Sequence, residues 1–130
     1  MQDRDLLTIL MGRILLLQEQ EKVGNQVELE VQGLAAVALK TIAEQHVDEE
    51  VRQAALDVVC YLPARTVGEI NFVLRIVNDT NNQALSGACA FSLERARPMD
   101  NAAWDALEQG RSAAANEVRK AVEKTLRRRK

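Results

Sequence analysis

The chain has 130 residues, 47% of them hydrophobic but only 3% aromatic, with two cysteines, two prolines and six glycines. That length makes one domain with room for a core that needs neither disulfides nor a metal, and with so few aromatics Ala, Leu and Val must do the packing, which favours close helices over a β-sandwich. The formal net charge of −2 conceals a split: residues 1–63 carry eleven acids and five bases, a balance of −6, whereas residues 64–130 carry eight acids and twelve bases, a balance of +4.

A first helix is expected over residues 1–23, opened by Asp3 or Asp5 and ended at Gly24. Leu7, Leu10, Ile14 and Leu17 form its main stripe, and Leu6, Ile9, Met11, Leu15 and Leu16 carry the apolar surface further round. Such a helix belongs either in the middle of a fold or in a subunit interface, so a homo-oligomer formed through it is one expectation. Arg13 interrupts the run before it reaches the roughly 18 to 20 residues of a membrane span. Asp3 and Asp5 are foreign to a secretory leader, and the expected location is cytoplasmic.

A second helix is expected from Asn25, with Glu28 in capping-box position, to about Gln45, and Leu29, Leu34, Ala35, Val37, Ala38, Ile42 and Ala43 would be its core face. Gly33 in mid-helix costs up to about 1 kcal/mol relative to alanine, which suggests another backbone passing close by.

The most telling stretch follows. Asp48 suits an N-cap, Glu49 and Glu50 suit the first turn, and Pro63 stops the helix; Val51, Ala54, Ala55, Val58, Val59 and Leu62 form one apolar stripe. The pattern D-x-x-V-R-x-A-A-x-x-V resembles the second helix of a HEAT repeat, a two-helix unit that stacks into right-handed solenoids. The resemblance covers about sixteen residues, 48–63.

After Pro63 the cycle returns in weaker form. Thr66 and Glu69 make a capping box ahead of Ile70, Phe72, Val73, Leu74, Ile76 and Val77, and Asn78-Asp79-Thr80 closes that helix. The next helix should run from Thr80 or Asn81 to about Arg95. It sets Ala84, Leu85, Ala88, Cys89 and Phe91 against Ala54, Ala55, Val58, Val59 and Tyr61 at a constant offset of thirty. Asn81 and Asn82 stand where the repeat motif has Val-Arg, so this unit matches by pattern and length only. Pro98 and Asp100 punctuate again before Ala102, Ala103, Trp104, Ala106 and Leu107. Either residues 100–127 form one long helix, or Gly110 and Ser112 break it before Asn116-Glu117-Val118-Arg119-Lys120-Ala121-Val122, which echoes residues 49–55 at an offset of sixty-seven. The fold expected is therefore all-α: one domain, 1–130, built as a HEAT-like right-handed α-solenoid of about three helix hairpins (25–63, 64–97 and 99–127), with an N-terminal capping helix, 1–23, and a basic tail, 127–130.

Little in the chain points to catalysis. His46 with Asp48, Glu49 and Glu50 offers metal-ligand types, but consecutive residues at a helix start diverge around its axis, and no metal is expected. Cys60 and Cys89 lie on apolar faces of different helices and have no sequence-near base, so buried free thiols are expected rather than a nucleophile or a disulfide. The glycines are scattered, without a phosphate-binding loop, and no cofactor or enzymatic activity is expected.

Binding remains. In HEAT-like solenoids the second helices line a concave face that receives the partner. The resemblance places Arg52, and Arg119 less securely, on that face beside Gln53, Asp57, Asn82, Gln83 and Ser86. In the same family the arginine often ties repeats together through a carboxylate, for which Asp79 or Asp48 are the candidates here. The leading expectation is a non-catalytic protein-protein interaction module, an adaptor, inhibitor or immunity-type protein. The alternative is a nucleic-acid-associated protein using the basic C-terminal end, where Lys124, Arg127, Arg128, Arg129 and Lys130 would meet phosphates or an acidic surface; no aromatic is interleaved with them.

Overall fold

The computed structural model describes residues 26–78 and 80–129, with side chains from residue 33 onward. The expected N-terminal helix, the cap at Asn25, the core role of Leu29, and Asp79 and Lys130 lie outside the described residues. Those described form six α-helices and no strand: α1 (Gln26–Gln45), α2 (Glu49–Cys60), α3 (Val67–Val77), α4 (Gln83–Glu94), α5 (Asn101–Glu108) and α6 (Asn116–Leu126). A 3-10 turn, Gln109–Ser112, separates α5 from α6, so the stretch 100–127 is two helices and not one.

Side-chain caps set most of the helix starts. Asp48 Oδ1 accepts from Glu50 N at 2.9 Å and Asp100 Oδ1 from Ala103 N at 2.8 Å. At α3 the capping box is complete: Thr66 Oγ1 accepts from Glu69 N at 3.1 Å, and Glu69 Oε1 accepts from Thr66 N at 3.0 Å and Arg65 N at 3.3 Å. The start of α4 differs from expectation. Its cap is Asn82, whose side chain accepts from Leu85 N at 2.9 Å. Thr80 is drawn elsewhere, its hydroxyl bonded to the Glu44 carboxylate and accepting from Asn82 N at 3.2 Å.

The helices pack in two layers. α1, α3 and α5 lie side by side in one and α2, α4 and α6 in the other, while α1 with α2, α3 with α4 and α5 with α6 pair across the layers. Among the described residues Phe72 is the one fully buried aromatic, in a core made mostly of aliphatics such as Leu39, Val59, Ile70, Leu85, Leu107 and Val122, with Trp104 packed against it. Each of these large side chains contributes about 1.5–3 kcal/mol by leaving water. Alanines 54, 55, 88, 103 and 121 are buried as well, so the helices approach closely.

Three core expectations are corrected. On α1 the buried stripe is Ala36, Leu39 and Ala43, at helical spacing, and Leu34, Val37 and Ala38 face outward. Ala84 is exposed, as are Tyr61 and Phe91, because these positions lie beyond the edge of the stripe that α2 and α4 turn inward. Among the described residues no atom lies within 4 Å of where a Gly33 Cβ would stand, so no close backbone accounts for that glycine.

Neighbouring pairs are also joined by polar bonds that repeat. In the last turn of α4, Ser92 Oγ donates to Leu62 O at 3.3 Å; in the last turn of α6, Thr125 Oγ1 donates to Leu93 O at 2.8 Å. The segments after α2 and α4 run together, with Arg97 N donating to Ala64 O at 3.1 Å and Met99 N to Arg65 O at 2.9 Å.

Candidate partner-binding site

The arginines singled out from the repeat motif both close a loop. Arg52 donates to the carbonyl of His46, six residues back, and Arg119 donates to that of Ala113, also six back, at 2.7 Å, and to Ala114 O at 2.9 Å. The echo at an offset of sixty-seven thus extends to a shared hydrogen bond. At α6, where Ala115 offers no side-chain cap, the Arg119 guanidinium ties the two carbonyls before the helix to its second turn. The partner of Arg52 is a carbonyl and not the carboxylate of Asp48, which caps Glu50 N instead.

The remaining residues from the expected face are distributed as follows. Gln53 is exposed and donates to Asp57 Oδ1 at 3.1 Å, and Asp57 is half-buried. Asn82 is occupied as a cap, Gln83 is exposed, and Ser86 is buried in the packing of α4.

Most cations of the basic tail are engaged within the fold. Lys124 Nζ lies 2.6 Å from Glu94 Oε1. Arg128 Nη2 donates to Glu94 O at 2.8 Å and Ala96 O at 3.2 Å, satisfying carbonyls at the C-terminal end of α4. Arg129 pairs with Asp105 at 3.2 Å and sits over the Trp104 ring, 5.8 Å from its centroid. The Lys124 hydrogen bond, its charge and then Arg128 hold the Glu94 carboxyl below the ordinary glutamate range. Arg127 is exposed and makes no side-chain bond among the described residues.

A different group of cations is left open to solvent. Arg65, Arg95 and Arg97 line a cleft of about 210 Å³ between the C-terminal ends of α2 and α4, together with Tyr61, Pro63 and Cys60. All three arginines are exposed, and among the described residues none is ion-paired. Tyr61 is 71% exposed and Phe91 42%, well above what large aromatics in a packed core retain. Their rings meet edge to face, centroids 6.3 Å apart at 79°, and the Arg95 guanidinium covers the Phe91 ring at 5.1 Å. The two loop-to-loop bonds hold Arg65 and Arg97 on adjacent strands of backbone. Aromatic and arginine side chains exposed together are what the centres of binding surfaces are made of. A wider hollow, about 630 Å³ between α3 and the 3-10 turn, is lined by Asn71, Leu74, Asn78 and Ala113 among others and holds no aromatic.

The thiols are not poised for chemistry. Both are free, but only Cys89 is buried; Cys60, expected inside, is half-buried at the cleft. Burial foremost, then the neighbouring Cys60, pushes the Cys89 thiol up to about 12. Cys60 is also raised, by burial and then by the Asp57 carboxylate. Among the described residues no group of three or more His, Cys, Asp or Glu side chains is placed to hold a metal ion, and no helix is long and apolar enough to cross a membrane. Comparison with family models, with curated proteins and with solved structures finds no match.

Proposed function

We propose that this chain is a non-catalytic protein-binding module, built as a short HEAT-like right-handed α-solenoid. Support for the architecture comes from the two layers, the pairing of each hairpin with its sequence neighbour, and the loop closure that Arg52 and Arg119 share. Support for binding comes from one observation above the others: Tyr61, Arg65, Arg95 and Arg97 stand exposed around one cleft, the arginines with no ion partner among the described residues, and Phe91 lies exposed against Tyr61 and Arg95. Aromatic and arginine anchors of this kind contribute a large share of interface energy, and the planar guanidinium fork makes several hydrogen bonds for each side chain it orders.

The test is affinity purification of the tagged chain from its native cells. A protein recovered in stoichiometric amount with the wild type and lost with Tyr61→Ser supports the reading, and recovery of none sinks it.

Nucleic-acid binding is the second reading. The tail favours it less than its sequence suggests, because Lys124, Arg128 and Arg129 would have to leave intramolecular partners. The cleft is the better place for it, since Tyr61 offers a ring for base stacking beside three guanidinium groups. A salt-sensitive mobility shift lost on Arg127–Arg129 deletion would restore the tail; a shift lost only with Arg95→Ser and Arg97→Ser would place nucleic acid in the cleft.

A further inference from the structure

We propose that the cleft between the ends of α2 and α4 receives an acidic segment of a protein partner, its carboxylates held by Arg65, Arg95 and Arg97 and an apolar side chain laid against Tyr61 and Pro63. The inference rests on the protein-binding reading and names the chemistry of what is bound.

Charge complementarity is the first ground. Three exposed guanidinium groups line one cleft without a carboxylate among the described residues to neutralise them. The guanidinium fork matches a carboxylate with two parallel hydrogen bonds.

Preorganisation is the second. Arg95 is already laid over the Phe91 ring, and the backbones bearing Arg65 and Arg97 are tied by hydrogen bonds of 3.1 and 2.9 Å. Docking then has chiefly the Arg65 and Arg97 side chains left to order, on backbones already fixed.

Overall charge favours a protein segment over a polynucleotide. At about 210 Å³ the cleft admits one or two side chains, short of the roughly 300 Å³ at which small-molecule pockets begin. The chain has a net charge of −2 and a sequence pI of about 5.5, far from the basic balance, with pI above about 9, of domains that hold phosphate backbones.

The experiment measures fluorescence anisotropy at low salt with three labelled probes: a dodecapeptide of Asp and Glu with one central Leu, its twin with Asn and Gln in place of every acid, and a dT12 oligonucleotide. The acidic peptide should bind at least tenfold more tightly than its amide twin, with affinity falling as salt is added. Arg95→Ser with Arg97→Ser should erase that advantage, and Arg111→Ser, whose guanidinium pairs with Glu123 at 3.2 Å away from the cleft, should leave it intact. Equal binding of the two peptides, no binding of either, or indifference to the Arg95 and Arg97 changes overturns the proposal. So does tighter, arginine-dependent binding of dT12, which would assign the cleft to nucleic acid. Circular dichroism verifies that each variant keeps its helix content, and Tyr61→Ser, which removes the apolar wall without touching a charge, should weaken the acidic peptide severalfold. The two levels fail differently. A native partner that still co-purifies with the Arg95/Arg97 variant sinks this inference and leaves the binding module standing, whereas absence of any partner sinks the module.

Discussion

Replacing Gly110 with alanine should destabilise the fold, although the same change in an open helix would stabilise it. A Cβ at residue 110 would stand 2.6 Å from Val122 Cγ2 and 3.2 Å from Leu74 Cδ2. Ordinary carbon contacts begin near about 3.5 Å, so roughly 1 Å must be found. Val122 is fully buried on α6 and, being β-branched, has one comfortable rotamer in a helix, so the methyl cannot swing aside cheaply. Overpacking of this kind costs about 1–3 kcal/mol. The alanine recovers about 0.4–1 kcal/mol by restricting the unfolded chain. The net expectation is a loss of about 1–2 kcal/mol, a fall in Tm of about 3–8 °C for a domain of this size. Urea unfolding followed by circular dichroism measures it, with an unchanged m-value showing that stability alone has moved. A second change sharpens the test. Val122→Ala alone should cost about 2 kcal/mol as a buried truncation, but combined with Gly110→Ala it removes the obstructing methyl, so the double variant should be more stable than the sum of the single losses by about 1 kcal/mol. A neutral or stabilising Gly110→Ala, or strict additivity, would refute the close packing of the 3-10 turn on α6.

The remaining predictions concern caps, thiols and pH. Thr66→Ala should cost about 1 kcal/mol. Glu69→Ala should cost about 1–3 kcal/mol, because the buried Thr66 N–H and that of Arg65 lose their acceptor, while Glu69→Gln keeps most of the stability; urea midpoints give the order, and Gln no better than Ala contradicts it. An aromatic disulfide reagent near neutral pH should modify one thiol per folded chain, Cys60, and slowly; Cys89, held at about 12, should react only in denaturant, and equal rates for both would be inconsistent with the burial described. Because the Glu94 carboxyl is lowered, its contact with Lys124 stabilises the fold above the ordinary glutamate value of 4.5 and is lost as pH falls through the lower folded value. Titration by NMR should show Glu94 moving back up in Lys124→Met, and no movement would mean the 2.6 Å contact is not populated in solution.

How much of this could be read beforehand depended on sequence distance. Asp48, Thr66 with Glu69 and Asp100 act on amides two or three residues away, and their helix starts were legible. The start of α4 was displaced because Thr80 is drawn to Glu44, thirty-six residues distant. The basic tail looked free for the same reason: Lys124, Arg128 and Arg129 find their partners twenty-four to thirty-four residues back, on α4, α5 and the segment after α4. The cleft had a visible signal that stopped short. The offset of thirty that aligns Tyr61 with Phe91 also aligns Arg65 with Arg95, but the match was taken only across apolar positions. On α1, an apolar count could not distinguish the stripe through Leu39 from Leu34 and Val37, because both have helical spacing and only the position of α2 and α3 chooses between them.

Photo-crosslinking in the native cell tests the central claim most directly. A photoreactive amino acid at position 61, 65 or 97 should give an adduct with one protein, and the same group at exposed position 47, at the other end of α2, should give none. Adducts with nucleic acid from the cleft positions, or protein adducts from position 47 alone, would contradict the account.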